Sequence, residues 1–145
     1  MIGLLQRVSH ASVRIDDSTI AEINKGLLVL IGMQQEDDQE SANRLFQKII
    51  SYRVFPDDND KMNHSLKDIN GGLLLVPQFT LAADTNKGLR PSFSNAAPPN
   101  KGKPLFDYLK EHAKSNYPDT SFGVFGADMQ VSLVNDGPVT FWLEI

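Results

Sequence analysis

Leu27-Leu28-Val29-Leu30-Ile31-Gly32-Met33 is an unbroken apolar run of strand length. No polar residue alternates within it, so a strand built from it must be covered on both faces. That places it at the centre of a sheet. Upstream, Ile2, Leu4, Val8, Ala11, Val13 and Ile15 alternate imperfectly with polar residues, which predicts one long, bent strand. Asp16-Asp17-Ser18 then reads as a turn, Thr19 to Ile23 as a short returning strand, and Asn24-Lys25-Gly26 as a second turn. Downstream, Ala42, Leu45, Phe46, Ile49 and Ile50 recur at helical spacing behind the acidic residues Glu36, Asp37, Asp38 and Glu40. Tyr52 to Phe55 reads as a strand stopped by Pro56.

Leu73-Leu74-Leu75-Val76-Pro77-Gln78-Phe79-Thr80-Leu81 predicts a second buried strand that turns polar at its end, where polar groups commonly line a pocket. Pro77 cannot donate to a ladder, so the strand must bulge, bend or sit at an edge there. Pro104 is suited to open a second helix through Leu105, Tyr108, Leu109, His112 and Ala113. Ser121 to Phe125 continues the sheet. Met129, Val131 and Leu133, then Val139, Phe141 and Leu143, alternate on either side of Asn135-Asp136-Gly137-Pro138, which predicts two strands joined by a tight turn. The Gly137-Pro138 bond admits a cis form, although trans is the ordinary state. About seven to nine strands and about two main helices result. The reading is an α+β fold: a single domain over residues 1–145, with a mixed, curved, barrel-like sheet.

The 145 residues carry 41% hydrophobic and 22% charged side chains, as expected of a globular domain with one core. Cysteine is absent, which excludes disulfides, thiol catalysis and thiolate metal sites. The N-terminal stretch has no basic segment followed by a long apolar run, so neither a secretory signal nor a membrane span is expected, and the location read is cytoplasmic. A net charge of −4 repels nucleic acid as a whole, so an RNA ligand needs a local basic patch. Lys87, Arg90, Lys101 and Lys103 are the candidates.

His10, His64 and His112 have no metal-ligand spacing, and the oxygen-rich segment 57–63 lacks the glycine and terminal glutamate of a calcium loop. No metal or cofactor is expected. Thr80 is the best-placed hydroxyl, yet no histidine or lysine partner that would make it a nucleophile is visible. The residues alone therefore reach a domain with a polar pocket and no assigned activity.

Two separated motifs go further. Val76-Pro77-Gln78-Phe79-Thr80-Leu81 and Asn135-Asp136-Gly137-Pro138-Val139-Thr140 resemble the signature segments of the D-aminoacyl-tRNA deacylases. Gln6-Arg7-Val8, Arg90-Pro91-Ser92-Phe93 and Ala127-Asp128-Met129-Gln130-Val131 follow in that family's order. Pro77 departs from the pattern, which usually has serine there. The resemblance implies a homodimeric, cofactor-free hydrolase that cleaves the ester at the 3′ end of D-aminoacyl-tRNA, with glycyl-tRNA as a further substrate. It implies that Gln78, Phe79 and Thr80 form the catalytic wall, with backbone N–H groups near Phe79 and Thr80 as an oxyanion hole. Gly137 and Pro138 become a Gly-cisPro pair that reaches into the partner subunit's site, Arg7 holds that pair, and Phe125 lines the adenosine site. Rival readings are a non-catalytic tRNA-binding module, an editing hydrolase for another mischarged aminoacyl-tRNA, and a small-molecule hydrolase using Thr80 as nucleophile.

Overall fold

A computed structural model describes residues 1–86 and 88–145. Its backbone strand is β1 (Ile2–Ile15), which carries three neighbours. The first half of β1 runs antiparallel to β3 (Gly26–Gly32), from Ile2 opposite Gly32 to Val8 opposite Gly26. Its second half pairs with β2 (Ser18–Ile23), from Ala11 opposite Ile23 to Ile15 opposite Ser18. Along its other edge runs β8 (Gln130–Glu144). Beyond β3 the sheet becomes parallel: β6 (Gly72–Pro77) pairs with β3, and β7 (Thr120–Phe122) pairs with β6. Parallel neighbours need long crossovers, and two helices supply them. These are α1 (Gln39–Ser51), between β3 and β6, and α3 (Pro99–Asn116), between β6 and β7.

The expectation that the run at 27–33 is covered on both sides holds. Leu27, Val29 and Ile31 point to one face and join Leu73 and Leu75 under α1 and α3, packed with Leu45, Phe46, Ile49, Phe106 and Leu109. Leu28 points to the other face and meets Val8, Val13, Ile23, Leu74 and Val76 in a second cluster, closed by Met129, Val131 and Leu133. This second cluster is the inside of the curl that makes the sheet barrel-like. Period-two alternation places the two sets on opposite faces, and each fully buried leucine contributes about 1.5–3 kcal/mol of hydrophobic stabilisation.

The helices begin where their caps dictate. Asp38 accepts from the Ser41 N–H at 2.9 Å, and this bond holds its carboxyl below the usual aspartate value. The segment before β6 contains a helical turn that periodicity alone does not show, α2 (Leu66–Ile69). Ser65 and Asp68 form a reciprocal capping box there, and the Ser-x-x-Asp spacing is its sequence signal. The oxygen-rich segment belongs to a small hairpin of β4 (Phe55–Pro56) and β5 (Met62–His64), so the strand read over Tyr52 to Phe55 contracts to its last residue. Asp57 accepts from the N–H groups of Asn59 and Lys61, which uses its oxygens internally.

The start of the parallel ladder is tight. A Cβ on Gly26 would lie 1.9 Å from the carbonyl oxygen of Gly72, an overlap with backbone that no rotamer relieves. Gly26→Ala should therefore destabilise by more than the usual overpacking range of about 1–3 kcal/mol, lowering Tm by about 10 °C or more. Gly126→Ala, at a positive φ of 77° but with open space around the added carbon, should cost only about 1–2 kcal/mol. Equal melting temperatures for the two variants would contradict the close-approach argument.

Candidate functional site

Where the sequence reads a strand through Leu81, the structure ends β6 at Pro77 and turns Phe79–Ala82 into a single 3-10 turn. The ladder still extends one residue past Pro77, since the Gln78 N–H donates to the Ile31 carbonyl at 2.7 Å. Gly32 lets the turn lie against β3: a Cβ there would fall 2.8 Å from Leu81 Cβ. The opening N–H groups of a helical turn have no acceptor within it. Gln78 provides no side-chain cap, and among the described residues Phe79 and Thr80 N–H find no other acceptor. The Gln78 amide instead donates to Thr80 Oγ1 at 2.6 Å. Among the described residues that hydroxyl is engaged with an amide and not with a base.

Beside this turn lies a cleft of about 790 Å³, a size suited to a ligand of nucleoside dimensions. Pro77 and Phe79 form one wall, and Phe93 sits against Phe79 with ring centroids 5.1 Å apart. Phe125 also lines it, seated over Gly102 of α3, whose absent side chain leaves it room. Pro98 and Pro99 also line the cleft. They open α3, so the helix starts five residues ahead of Pro104, which is carried inside it. The chain after β3 closes the end of the cleft by pairing with 95–97, through Gln35 N–H to Asn95 O at 3.0 Å and Ala97 N–H to Met33 O at 2.9 Å.

The candidate cations are unequal. Lys101 lines the cleft but donates to the Gln35 carbonyl and lies near Asp38. Lys103 is paired with Asp107 at 2.7 Å, an interaction that holds the Asp107 carboxyl below its usual value. Arg90 is exposed and has no ion pair among the described residues. Lys87 lies outside the described residues.

The largest departure from the sequence reading concerns Asn135–Thr140. No hairpin forms. β8 is one strand along the whole of β1, and the register steps from Gln6 opposite Thr140 to Val8 opposite Asn135. Asp136–Val139 thus swell out opposite the single residue Arg7. Turn-forming residues between alternating runs give the same pattern whether the chain reverses or bulges, and long-range pairing with β1 decides between them. The Gly137-Pro138 bond is cis, and Gly137 has φ of 132°, a region open to glycine. Arg7, largely buried, donates through Nε to the Asp136 carbonyl at 3.0 Å and through Nη1 to the Val54 carbonyl at 2.7 Å. Its guanidinium lies against Gly137, where a Cβ would be 3.0 Å from Nη2.

The structure thus gathers Pro77, Phe79, Phe125 and Lys101 around one cleft and joins Arg7 to Gly137-Pro138 elsewhere. Neither Gly137 nor Pro138 lines the cleft of its own chain. Sequence reasoning missed Phe93, Gln35 and the Pro98-Pro99 pair as cleft residues, and it took Asn135 for a turn former only.

The whole chain matches known proteins. Residues 4–144 match the family model described as D-Tyr-tRNA(Tyr) deacylase. The chain belongs to the D-Tyr-tRNA(Tyr) deacylase family. A D-aminoacyl-tRNA deacylase of Stutzerimonas stutzeri is 60% identical over 144 residues, 99% of each chain. One of Cronobacter sakazakii is 53% identical over the full length of both. Among solved structures, a c-Myc DNA unwinding element binding protein superposes with a TM-score of 0.95 at 36% identity, covering 100% of this chain and 99% of that one. A probable eukaryotic D-amino acid tRNA deacylase shares the fold, with a TM-score of 0.86 at 16% identity over 99% and 98% of the two chains.

Within this deacylase chain the Arg7 grip is testable. A lysine carries one point charge in place of a planar fork and cannot serve both carbonyls. Arg7→Lys should cost about 1.5–3 kcal/mol, the range for a lost hydrogen bond to a charged group. Chemical denaturation of the two proteins measures it; an unchanged midpoint would show that Arg7 does not hold the bulge.

Proposed function

We propose that the chain hydrolyses the ester between a D-amino acid and the 3′-terminal ribose of tRNA, accepts glycyl-tRNA, and rejects L-aminoacyl-tRNA. The observation that carries this reading is the pair of uncapped N–H groups at Phe79 and Thr80 beside an apolar cleft, in a chain that matches the deacylase family over residues 4–144.

The chemistry follows from those donors. Water adds to the ester carbonyl, and the negative charge that develops on the carbonyl oxygen is met by the Phe79 and Thr80 N–H groups. The tetrahedral intermediate then collapses with cleavage of the bond to the ribose oxygen, which leaves as a hydroxyl, and the amino acid departs as a carboxylate. Among the described residues no base is hydrogen-bonded to Thr80, whose hydroxyl accepts from Gln78. The neighbouring ribose hydroxyl of the substrate serves as the proton relay, and Thr80 acts through its backbone. Phe125 and the prolines at the mouth of α3 offer apolar surface to the terminal adenosine.

Chirality is read by exclusion. With the ammonium, the ester carbonyl and the ribose held, the Cα hydrogen and the side chain of the two enantiomers can only exchange places. Backbone at Gly137 and Pro138 occupies the position of an L side chain and leaves space for a D side chain or for glycine. Rejection by about 10⁴ requires about 5.5 kcal/mol, which a steric clash supplies and one lost methylene contact does not. Because Asp136, Gly137 and Pro138 are exposed and absent from their own cleft, they act in the cleft of a second copy, making the enzyme a homodimer with residues 1–145 as one catalytic domain. Val134 and Trp142, exposed apolar residues on the same strand, are surface that such a copy would cover. Arg90, with Lys101 and Lys103 in support, meets the tRNA phosphates. No described helix is long and apolar enough to cross a membrane, and the tRNA substrate assigns the enzyme to the cytoplasm.

The deciding assay measures hydrolysis of D-tyrosyl-, L-tyrosyl- and glycyl-tRNA at sub-stoichiometric enzyme. Loss of the D and glycyl esters with the L ester intact is the expected result. Binding of tRNA without turnover of any ester would sink the hydrolase reading. Thr80→Ala should retain the single-turnover rate within about tenfold; a loss beyond about 10³, the effect of removing a full oxyanion donor, would give the hydroxyl a direct chemical role.

A further inference from the structure

We infer that Asn135 and Thr140 form a positioning pair that holds the Gly137-Pro138 segment in place, an inference that rests on the reading of that segment as the selectivity element. The two residues are the last of β8 to keep register with β1 on either side of the bulge: Asn135 stands opposite Val8, and Thr140 opposite Gln6. Between them the ladder gives Asp136–Val139 no partner strand positions. The Asn135 carboxamide closes this gap with both of its ends. Its Nδ2 donates to Thr140 Oγ1 at 2.8 Å, which ties the two ends of the excursion together. Its Oδ1 accepts from the Val139 N–H at 2.9 Å, which gives an acceptor to an amide of a buried residue inside the bulge. The orientation of the amide is fixed by chemistry: the Val139 N–H can meet only the oxygen, so the nitrogen must face the hydroxyl.

Arg7 grips the bulge at Asp136, before the glycine, and Asn135 grips it at Val139, after the proline. Gly137 and Pro138 are therefore suspended between two anchored residues. Gly137 has no side chain and Pro138 has no N–H to hold that position. An error of about 1 Å in such an element is enough to admit the wrong substrate, since positioning effects of that size cost orders of magnitude. An aspartate cannot test the pair, because the Thr140 hydroxyl could donate to its second oxygen. Alanine at 135 removes both bonds, and valine at 140 removes the hydroxyl while keeping its shape and leaving the bond to Val139.

The experiment compares kcat/KM for D-tyrosyl- and L-tyrosyl-tRNA in the full-length protein and in Asn135→Ala, Thr140→Val and Thr140→Ser, alongside hydrogen exchange of the Val139 amide. Asn135→Ala should lower the D-to-L ratio at least tenfold, chiefly through a rise in L-ester hydrolysis, and should speed Val139 exchange at least tenfold. Thr140→Val should lower the ratio by less, and Thr140→Ser should restore it. A merely structural role would slow both esters together and leave the ratio where it was, which would overturn the inference. If Asn135→Ala does not fold, an unchanged ratio in Thr140→Val overturns it equally. If the unaltered protein does not distinguish the two esters, the selectivity reading fails; Val139 exchange then still decides whether the clamp exists, and unchanged exchange overturns it.

Discussion

The antiparallel ladder between β1 and β8 is the constraint on which the remaining structure hangs. It runs from Ile2 opposite Glu144 to Arg14 opposite Gln130, so the first and last strands of the chain are neighbours. The Met1 ammonium, fully buried, extends this join by meeting Asp37 at 2.5 Å and the Ile145 carbonyl at 3.2 Å. β1 already has β3 and β2 along its other edge, and it departs from its pairing with β8 by one residue of its own, Ser9, between Val8 opposite Asn135 and His10 opposite Val134. Every surplus residue of β8 must leave the ladder. The bulge at Asp136–Val139 is that surplus, and its location is set by where the ladder resumes, with Arg7 as the only residue opposite it. A strand pair held this firmly on both sides of the interruption is what allows a few exposed backbone atoms to occupy a defined place.

The cleft wall at Pro77 and Phe79 is fixed by a different device, close approach of backbones. Gly26 against Gly72 sets how β6 begins beside β3, and Gly32 against Leu81 sets how it ends, so both ends of this parallel pair depend on missing side chains. The 3-10 turn is pressed onto β3, and among the described residues nothing accepts from its first N–H groups. A buried donor without a partner costs on the order of 1–3 kcal/mol. Phe79 and Thr80 escape much of that cost by being exposed, which is also the condition for a substrate oxygen to reach them.

The fold class and its core were legible because they rest on local periodicity. The run at 27–33 named the central strand, and the helical spacing from Ala42 to Ile50 named α1. What was not legible depends on distance along the chain. Asn135-Asp136-Gly137-Pro138 carries the chemistry of a turn, and only the competition between β8 pairing with itself and β8 pairing with β1 makes it a bulge. Pro104 looked like a helix start because proline suits the first turn, yet Pro98 and Pro99 occupy that role and α3 tolerates the later proline near its beginning. Pro77 signals a bend, a bulge or an edge, but beyond it the apolar residues continue through Phe79 and Leu81, so the pattern does not say that the strand stops. The two motifs that carry the family resemblance lie at these irregular places. Their residues serve geometry that secondary-structure preference does not encode.

Pro77 shows how such geometry tolerates a change of residue. The family pattern places serine there, and proline removes a hydroxyl and an N–H from the cleft wall. It stands opposite Ile31 in the parallel ladder, and the next N–H, that of Gln78, makes the bond to the Ile31 carbonyl. The ladder therefore needs no donor from position 77. The ring also finds room: it lies beside Gly123, where a Cβ would come within 3.2 Å of its Cδ. Pro77 thus adds rigid apolar surface to a cleft that is already largely apolar, while the two N–H groups without an acceptor among the described residues belong to the backbone of Phe79 and Thr80. A side chain can therefore be exchanged at 77 while the main-chain N–H groups at 79 and 80 stay where they are.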